Sequence, residues 1–257
     1  MNIEFNCIIK DLKQTESYVD MVLKNNELSP LCRYGQFLHI ACGDETFLRR
    51  PISICDADDE TVRIIFQIKG EGTKALAKRK IGDIVNVLGP LGHGFSLSNE
   101  DKNVVFIGGG LGVFPLYMPA KTLGENCTVI LGYRNKEAVY LYEDFIKSGC
   151  NVILTTDDGS LGTKGFVTDE LSKLINNKKI SKVLTCGPYL MMKKVAELSL
   201  KNNIECQVSL EEHMGCGIGT CLCCVTKIRE NTDDNEIKNL CVCKEGPVFD
   251  ARKVVFS

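Results

Sequence analysis

The chain has 257 residues, of which 44% are hydrophobic and 25% charged, and its formal net charge is −2. This length suits about two domains with a buried core each, and the charge provides no basic surface for nucleic acid. The longest apolar region, residues 104–118, is interrupted by glycines and therefore does not read as a membrane span. Residues 1–10 lack a basic segment followed by an apolar core, so we expect a cytoplasmic protein with reduced thiols.

Residues 1–98 have the pattern of a small antiparallel β-barrel. Runs rich in β-branched and aromatic residues are separated by Gly, Pro, Asp and Asn, which is typical of short strands joined by turns. A short helix is predicted at residues 73–80. The predicted strands cover residues 18–23, 36–42, 62–68 and 84–88.

Residues 99–209 change to alternating apolar strands and helix-length segments. This alternation predicts a doubly wound parallel sheet, so the fold class is a multidomain β plus α/β protein. Residues 210–257 then form a third, small cysteine domain. The predicted strands are 104–107, 127–131, 152–155, 183–185 and 206–209. One predicted helix follows the first of these strands and ends at about residue 123, and the others cover 136–147, 167–177 and 189–201.

The first turn of the predicted sheet is rich in glycine. Gly109, Gly110 and Gly112 allow close approach of a phosphate, and the helix that follows presents its amides to the anion. Val113 stands where a dinucleotide fingerprint has its last glycine, so a tight turn without ligand remains an alternative. The sequence Cys186-Gly187-Pro188 follows the fourth strand at the same edge, where it is placed to face a nicotinamide.

Two segments of the barrel region are candidates for holding a pyrophosphate. Arg50 lies beside a strand entry, where a guanidinium can bind two phosphate oxygens at once. Gly72 and Thr73 open the predicted helix, whose first amides suit the same phosphates. Taken singly, the arginine also reads as a solvated charge and the glycine turn as an ordinary helix cap.

The C-terminal region carries a compact group of thiols. Cys216, Cys221 and Cys224 have the C-x4-C-x2-C spacing of plant-type [2Fe–2S] proteins, and a fourth thiol follows at Cys241 or Cys243. Zinc is the structural alternative, although its sites usually take two cysteine pairs on separate knuckles. Disulfides fit less well because nothing indicates an oxidising compartment. The scattered cysteines are expected to be small buried hydrophobes, namely Cys7, Cys42, Cys55, Cys127 and Cys150.

Together these segments resemble the ferredoxin-NADP reductase superfamily. Within it, the chain resembles the electron transfer subunits of NAD-dependent (type B) dihydroorotate dehydrogenases over essentially its whole length. The matching motifs stand in the same order as in the family. They are Arg-Arg-Pro-Ile-Ser-Ile at 49–54, Gly-Pro-Leu-Gly-His-Gly-Phe at 89–95, Gly-Gly-Gly-Leu-Gly-Val-Phe-Pro at 108–115, Cys-Gly-Pro at 186–188, Cys-Gly-Ile-Gly-Thr-Cys at 216–221 and Gly-Pro-Val-Phe at 246–249.

The resemblance implies three sites. The barrel would bind FAD, with Arg50 on the phosphates and Ser53 near the flavin ring, and the sheet would bind NAD(H). The four cluster ligands would be Cys216, Cys221, Cys224 and Cys243, with Cys223 and Cys241 as additional cysteines able to exchange with them. The implied FAD contacts are Arg50, Pro51, Ile52, Ser53, Ile65, Phe66, Gln67, Gly72 and Thr73.

The implied activity is that of an oxidoreductase subunit in de novo pyrimidine (UMP) biosynthesis. Electrons would pass between NAD and the FMN of a separate catalytic subunit through FAD and the [2Fe–2S] cluster, in a heterotetramer of two plus two subunits. No residue of this chain is expected to act as an acid or base. The family preference is NADH over NADPH, a choice that the residues themselves leave open.

Two other functions fit part of the pattern. The small subunit of an NAD(P)H sulfide dehydrogenase or ferredoxin-NADP oxidoreductase shares barrel, sheet and cluster, but its cluster segment differs from the one seen here. A zinc-stabilised flavoprotein-like sensor without electron transfer is the non-enzymatic alternative.

Overall fold

The computed structural model describes residues 3–43, 46–98, 100–231 and 236–256. The chain divides into two compact units, one built from residues 1–94, 211–226 and 241–247, the other from 95–210, 227–240 and 248–257. No helix in the described part of the chain combines the length and apolar character needed to cross a bilayer. The division into domains at 98/99 and 209/210 stays a prediction.

The first unit contains a closed six-stranded antiparallel barrel in the strand order β1-β2-β5-β4-β3-β6. Buried and more exposed residues alternate along β6, as expected for a strand with one face toward a core. This confirms the predicted barrel, which also includes two strands that the sequence pattern did not predict, β1 and β4. The elements are β1 Glu4–Gln14, β2 Tyr18–Lys24, β3 Phe37–Ile40, β4 Arg50–Ala57, β5 Thr61–Gln67, α1 Glu71–Ala77 and β6 Ile84–Leu91.

The second unit contains a seven-stranded sheet in the order β10-β9-β8-β7-β11-β12-β15. Every residue of its central strand β7 is buried, which is typical of a parallel strand covered on both faces. The strands are β7 Val104–Gly109, β8 Cys127–Tyr133, β9 Asn151–Thr156, β10 Thr163–Lys164, β11 Lys182–Cys186, β12 Glu205–Ser209 and β15 Val248–Asp250. Strands β13 Val225–Arg229 and β14 Ile237–Cys241 form a separate two-stranded sheet.

The helices show where local sequence patterns were sufficient. Helices α4 Val167–Asn177 and α5 Tyr189–Lys201 have the predicted bounds, and α2 Tyr117–Leu123 ends where expected. The predicted helix at 136–147 is wrong in its first half: α3 is Tyr142–Lys147, and Leu141 before it has a left-handed φ of 63°. A short 3-10 turn, Lys136–Ala138, occupies the start of that segment.

The C-terminal residues do not all stay with the cysteine segment. Strand β15 pairs antiparallel with β12, so residues after Pro247 complete an edge of the large sheet. Cys241 to Pro247 instead belong to the barrel unit, as do Glu211 to Thr226. The barrel and the cysteine segments therefore form one compact unit.

Candidate cofactor sites

The two candidate phosphate segments of the barrel lie against each other. A Cβ atom added to Gly72 would lie 2.5 Å from Nε of Arg50 and 2.7 Å from its Cζ. The guanidinium of Arg50 therefore occupies the space beside the first turn of α1 that a side chain at position 72 would fill. The fold brings Arg50 and the glycine turn to one point, as a shared ligand requires.

The neighbouring arginines have different roles. Arg49 donates to the backbone carbonyls of His39 (3.4 Å) and Asn86 (3.2 Å) and pairs with Glu4 at 3.1 Å, so it ties three barrel strands together. Arg50 uses only Nη1 locally, donating to the carbonyls of Leu48 (2.6 Å) and Arg49 (3.2 Å). Its Nε and Nη2 have no acceptor among the described residues, so Arg50 retains donors for an anion.

The remaining predicted flavin positions lie on β4, β5 and the start of α1. Pro51, Ile52 and Ser53 are half-buried on β4, and Ile65 and Phe66 are buried on β5, which ends at Gln67. The Thr73 hydroxyl accepts from the amides of Lys69 (2.9 Å) and Gly70 (3.0 Å), so it closes the turn itself. These positions line one barrel wall beside the guanidinium of Arg50.

The predicted nucleotide residues meet at the carboxyl edge of the large sheet. A Cβ on Gly112 would lie 2.3 Å from the carbonyl carbon of Cys186, and one on Gly187 would lie 2.9 Å from the amide of Gly109. Gly110 has a left-handed φ of 54° and open space around it, and Pro188 is exposed. A side chain at Gly112 or at Gly187 would therefore clash with the backbone of the opposite loop. The α-helix expected after the glycine turn begins only at Tyr117, because Gly110–Leu116 forms a 3-10 helix.

The four predicted cluster cysteines come together as two pairs. The thiols of Cys221 and Cys216 lie close enough to affect each other's acidity, and so do those of Cys224 and Cys243. Among the described residues, no three His, Cys, Asp or Glu side chains are arranged to hold a single metal ion. Each of the two irons of a [2Fe–2S] cluster is coordinated by two cysteine thiolates. The arrangement of the four cysteines in two pairs matches this requirement.

Backbone amides surround the sulfurs. Cys216 Sγ accepts from the amides of Ile218 (3.5 Å), Thr220 (3.3 Å) and Cys221 (3.4 Å). Two further amides point at the other pair: Gly219 donates to Cys243 Sγ at 3.1 Å, and Cys243 donates to Cys224 Sγ at 3.4 Å. Amides of this kind stabilise negative charge on sulfur, so the loop suits thiolate ligands and an electron-accepting centre.

The thiols differ in acidity. Burial raises the pKa of Cys216, but the surrounding amides outweigh this effect and lower it to about 6. Burial and the adjacent Cys224 thiol raise the pKa of Cys243 to about 12. Metal ligation requires the thiolate, and the amides around Cys216 favour this form.

The two additional cysteines differ in their surroundings. Cys241 is buried, and its pKa is raised by burial and by the nearby Cys224 thiol, so it lies beside a predicted ligand. Cys223 is exposed. The scattered thiols expected in the core, from Cys7 to Cys150, are buried as predicted.

Two histidines lie against the cysteine segments, and sequence reasoning missed one of them, His39. His93 Nδ1 lies 2.7 Å from the carbonyl oxygen of Lys244. His39 is 1% exposed and faces Gly217, where an added Cβ would lie 2.6 Å from its Nδ1. The signal for His39 is a polar side chain within the otherwise apolar strand Phe37–Ile40.

Cys216 should show its acidity directly. In chain freed of iron and kept reduced, we expect its alkylation rate to fall as the pH drops through about 6, since the thiolate is the reactive form. Cys32, whose pKa burial raises to about 12, is the internal control and should stay unlabelled. Peptide mass spectrometry measures both, and a midpoint near the ordinary thiol value of about 8.5 at Cys216 would contradict the amide effect.

The sequence aligns with characterised proteins along most of its length. It is 44% identical over 223 residues to the dihydroorotate dehydrogenase B (NAD(+)) electron transfer subunit of Caldanaerobacter subterraneus subsp. tengcongensis, covering 86% of this chain and 87% of that one. It is 39% identical over 260 residues to the subunit of the same name from Bacillus cereus, covering 97% and 98%.

The other comparisons agree with these relatives. The family described as the iron-sulfur cluster binding domain of dihydroorotate dehydrogenase B matches residues 211–255, which include all the predicted ligands. The solved structure of an NADH-dependent reduced ferredoxin-NADP oxidoreductase superposes with a TM-score of 0.85 at 30% identity, covering 97% of this chain and 90% of that one. The chain belongs to the family of dihydroorotate dehydrogenase B electron transfer subunits.

Proposed function

We propose that this chain carries electrons between NAD and the FMN of a separate catalytic subunit that interconverts dihydroorotate and orotate in pyrimidine synthesis. One observation supports the proposal most directly. The Arg50 guanidinium beside Gly72 and the four predicted cluster cysteines belong to the same compact unit. A flavin site and a cluster site within one compact unit suit electron transfer between them. The family relationship supplies the substrate.

The residues of the chain hold and tune the cofactors. When bound, FAD exchanges two electrons with nicotinamide and single electrons with a [2Fe–2S] cluster, which carries one at a time. Arg50 would hold the FAD phosphates with the donors it does not use locally, and Ile65 and Phe66 of β5 would belong to the barrel wall beside the flavin. Cys216, Cys221, Cys224 and Cys243 would hold the cluster, and the glycine loops around Gly109 and Gly187 would receive NAD(H).

The partner binds at the cluster loop. Ile218, Leu222 and Val225 are large apolar side chains on this loop, and they are 45%, 65% and 39% exposed. An exposed apolar group beside an electron-carrying site suits a subunit interface. The partner is the FMN-containing catalytic subunit, and the complex contains two copies of each.

The neighbouring arginines allow a matched test of the FAD site. Arg50→Gln removes the charged donors beside Gly72 and should weaken FAD binding by about 2 kcal/mol, roughly 30-fold in Kd. Arg49→Gln removes the ties between strands and should lower the urea midpoint of unfolding while leaving FAD affinity near that of the native chain. Flavin titration and urea denaturation measure the two effects. Equal losses of affinity in both variants would argue against the division of roles.

The adjacent cysteines allow a matched test of the electron route. Cys224→Ser removes a predicted ligand, so the complex with its catalytic partner should lose dihydroorotate-dependent NAD⁺ reduction at least 100-fold, an effect of roughly 2.7 kcal/mol. Reduction of bound FAD by NADH should persist. Cys223→Ser changes an exposed neighbour and should retain both reactions. A Cys224→Ser complex that still reduces NAD⁺ at the native rate would refute the cluster route.

A further inference from the structure

His39 is a buried polar side chain without a partner. It is 1% exposed, and neither ring nitrogen has a hydrogen-bond partner within the described part of the chain. Leaving such a group unpaired costs free energy, and native proteins rarely do so without a reason. Nothing in the barrel itself supplies that reason.

The ring lies between the two candidate cofactor sites of this unit. On one side, His39 stands opposite Pro51 in the β3–β4 ladder, next to Arg50. On the other side is Gly217 of the cysteine loop, whose added Cβ would lie 2.6 Å from Nδ1 and 3.1 Å from Cγ. Gly217 has a left-handed φ of 74°, and its lack of a side chain lets the loop backbone sit on the imidazole.

Two backbone carbonyls, those of Arg49 and Cys216, lie close to the ring without meeting hydrogen-bond geometry. Burial lowers the pKa of His39, and these carbonyls partly offset that effect. A neutral imidazole has a single N–H, so it can donate to one of the two. Among the ring atoms, Nδ1 comes nearest to the Cβ position of Gly217, so Nδ1 is the nitrogen on the side of the cysteine loop.

We propose that His39 is a positioning residue for the cluster: when the cluster is bound, its Nδ1–H donates to the backbone carbonyl of Cys216, whose neighbour Gly217 already lies on the ring. The inference rests on the proposed function, in which Cys216 is a cluster ligand. The N–H dipole fixes the ligand-bearing backbone and places its positive end toward the cluster. Such a donor favours the reduced, more negative form, so its loss lowers the reduction potential.

The test uses the native chain with both cofactors, purified anaerobically, and three substitutions of His39. His39→Asn places an amide nitrogen near the position of Nδ1, His39→Gln places one near Nε2, and His39→Leu has no donor. The readouts are iron and flavin content, the EPR spectrum of the reduced cluster and its potential by EPR-monitored titration. None of these depends on turnover.

We expect His39→Leu and His39→Gln to lower the one-electron equilibrium constant for cluster reduction about tenfold, a shift of about 59 mV. His39→Asn should stay near the native potential and keep the native EPR line shape. Gln14→Leu is the control, because Gln14 is an exposed residue of strand β1 that contacts neither candidate site. Its cluster potential should be unchanged.

The comparison of the Asn and Gln variants decides the proposal even if the Leu variant fails to fold. Equal potentials in these two variants, whether native or shifted, would overturn the role of Nδ1. If the native chain binds FAD and iron but no His39 variant shifts the potential, only this inference fails. A native chain that takes up neither cofactor would overturn the proposed function and this inference with it.

Discussion

The convergence of four thiols from two separate chain segments is the constraint on which the structure depends. Cys216, Cys221 and Cys224 come from one loop, and Cys243 returns after the intervening β13–β14 hairpin segment. The amide of Val242 donates to the carbonyl of Cys224, and the amide of Gly219 to Cys243 Sγ, so each segment holds the other in place. A shift of either segment by one residue would separate Cys243 from Cys224 and from the amide of Gly219.

The same unit also contains the flavin candidate site, and close backbone contacts fasten the two sites together. Gly217 lies on His39, and the amide of His93 donates to the carbonyl of Gly246 at 2.5 Å. Both histidines are on the barrel, whereas both glycines belong to cysteine segments. An electron route needs fixed separations between its centres, and these contacts provide them within one framework.

Much of the fold could be predicted from periodicity alone. Helices α4 and α5 and the buried strand β7 have strong local patterns, and the structure contains them where the sequence predicts them. The segment before α3 failed because Leu141 adopts a left-handed conformation that tertiary packing imposes and its own propensity opposes. Strand β15 is three residues long and exists through its pairing with β12, which no local pattern reports.

For the candidate sites, too, the sequence predicts what depends on neighbouring residues and misses what depends on distant ones. Cysteine spacing carries the cluster prediction because three ligands lie within one loop, so their geometry is local. The different roles of Arg49 and Arg50 depend on partners far along the chain, such as Asn86 and Gly72, and adjacent identical residues give no hint of them. His39 likewise acquires its significance only when Gly217, distant in sequence, is brought onto its ring.

The most direct test of the account is the visible absorption spectrum of the purified chain under anaerobic conditions, before and after NADH is added. The account predicts flavin bands over a broad iron-sulfur absorption, with both bleaching when NADH is added. A protein that stays colourless, even after reconstitution with FAD, iron and sulfide, would contradict it and would assign the four cysteines to a structural metal such as zinc.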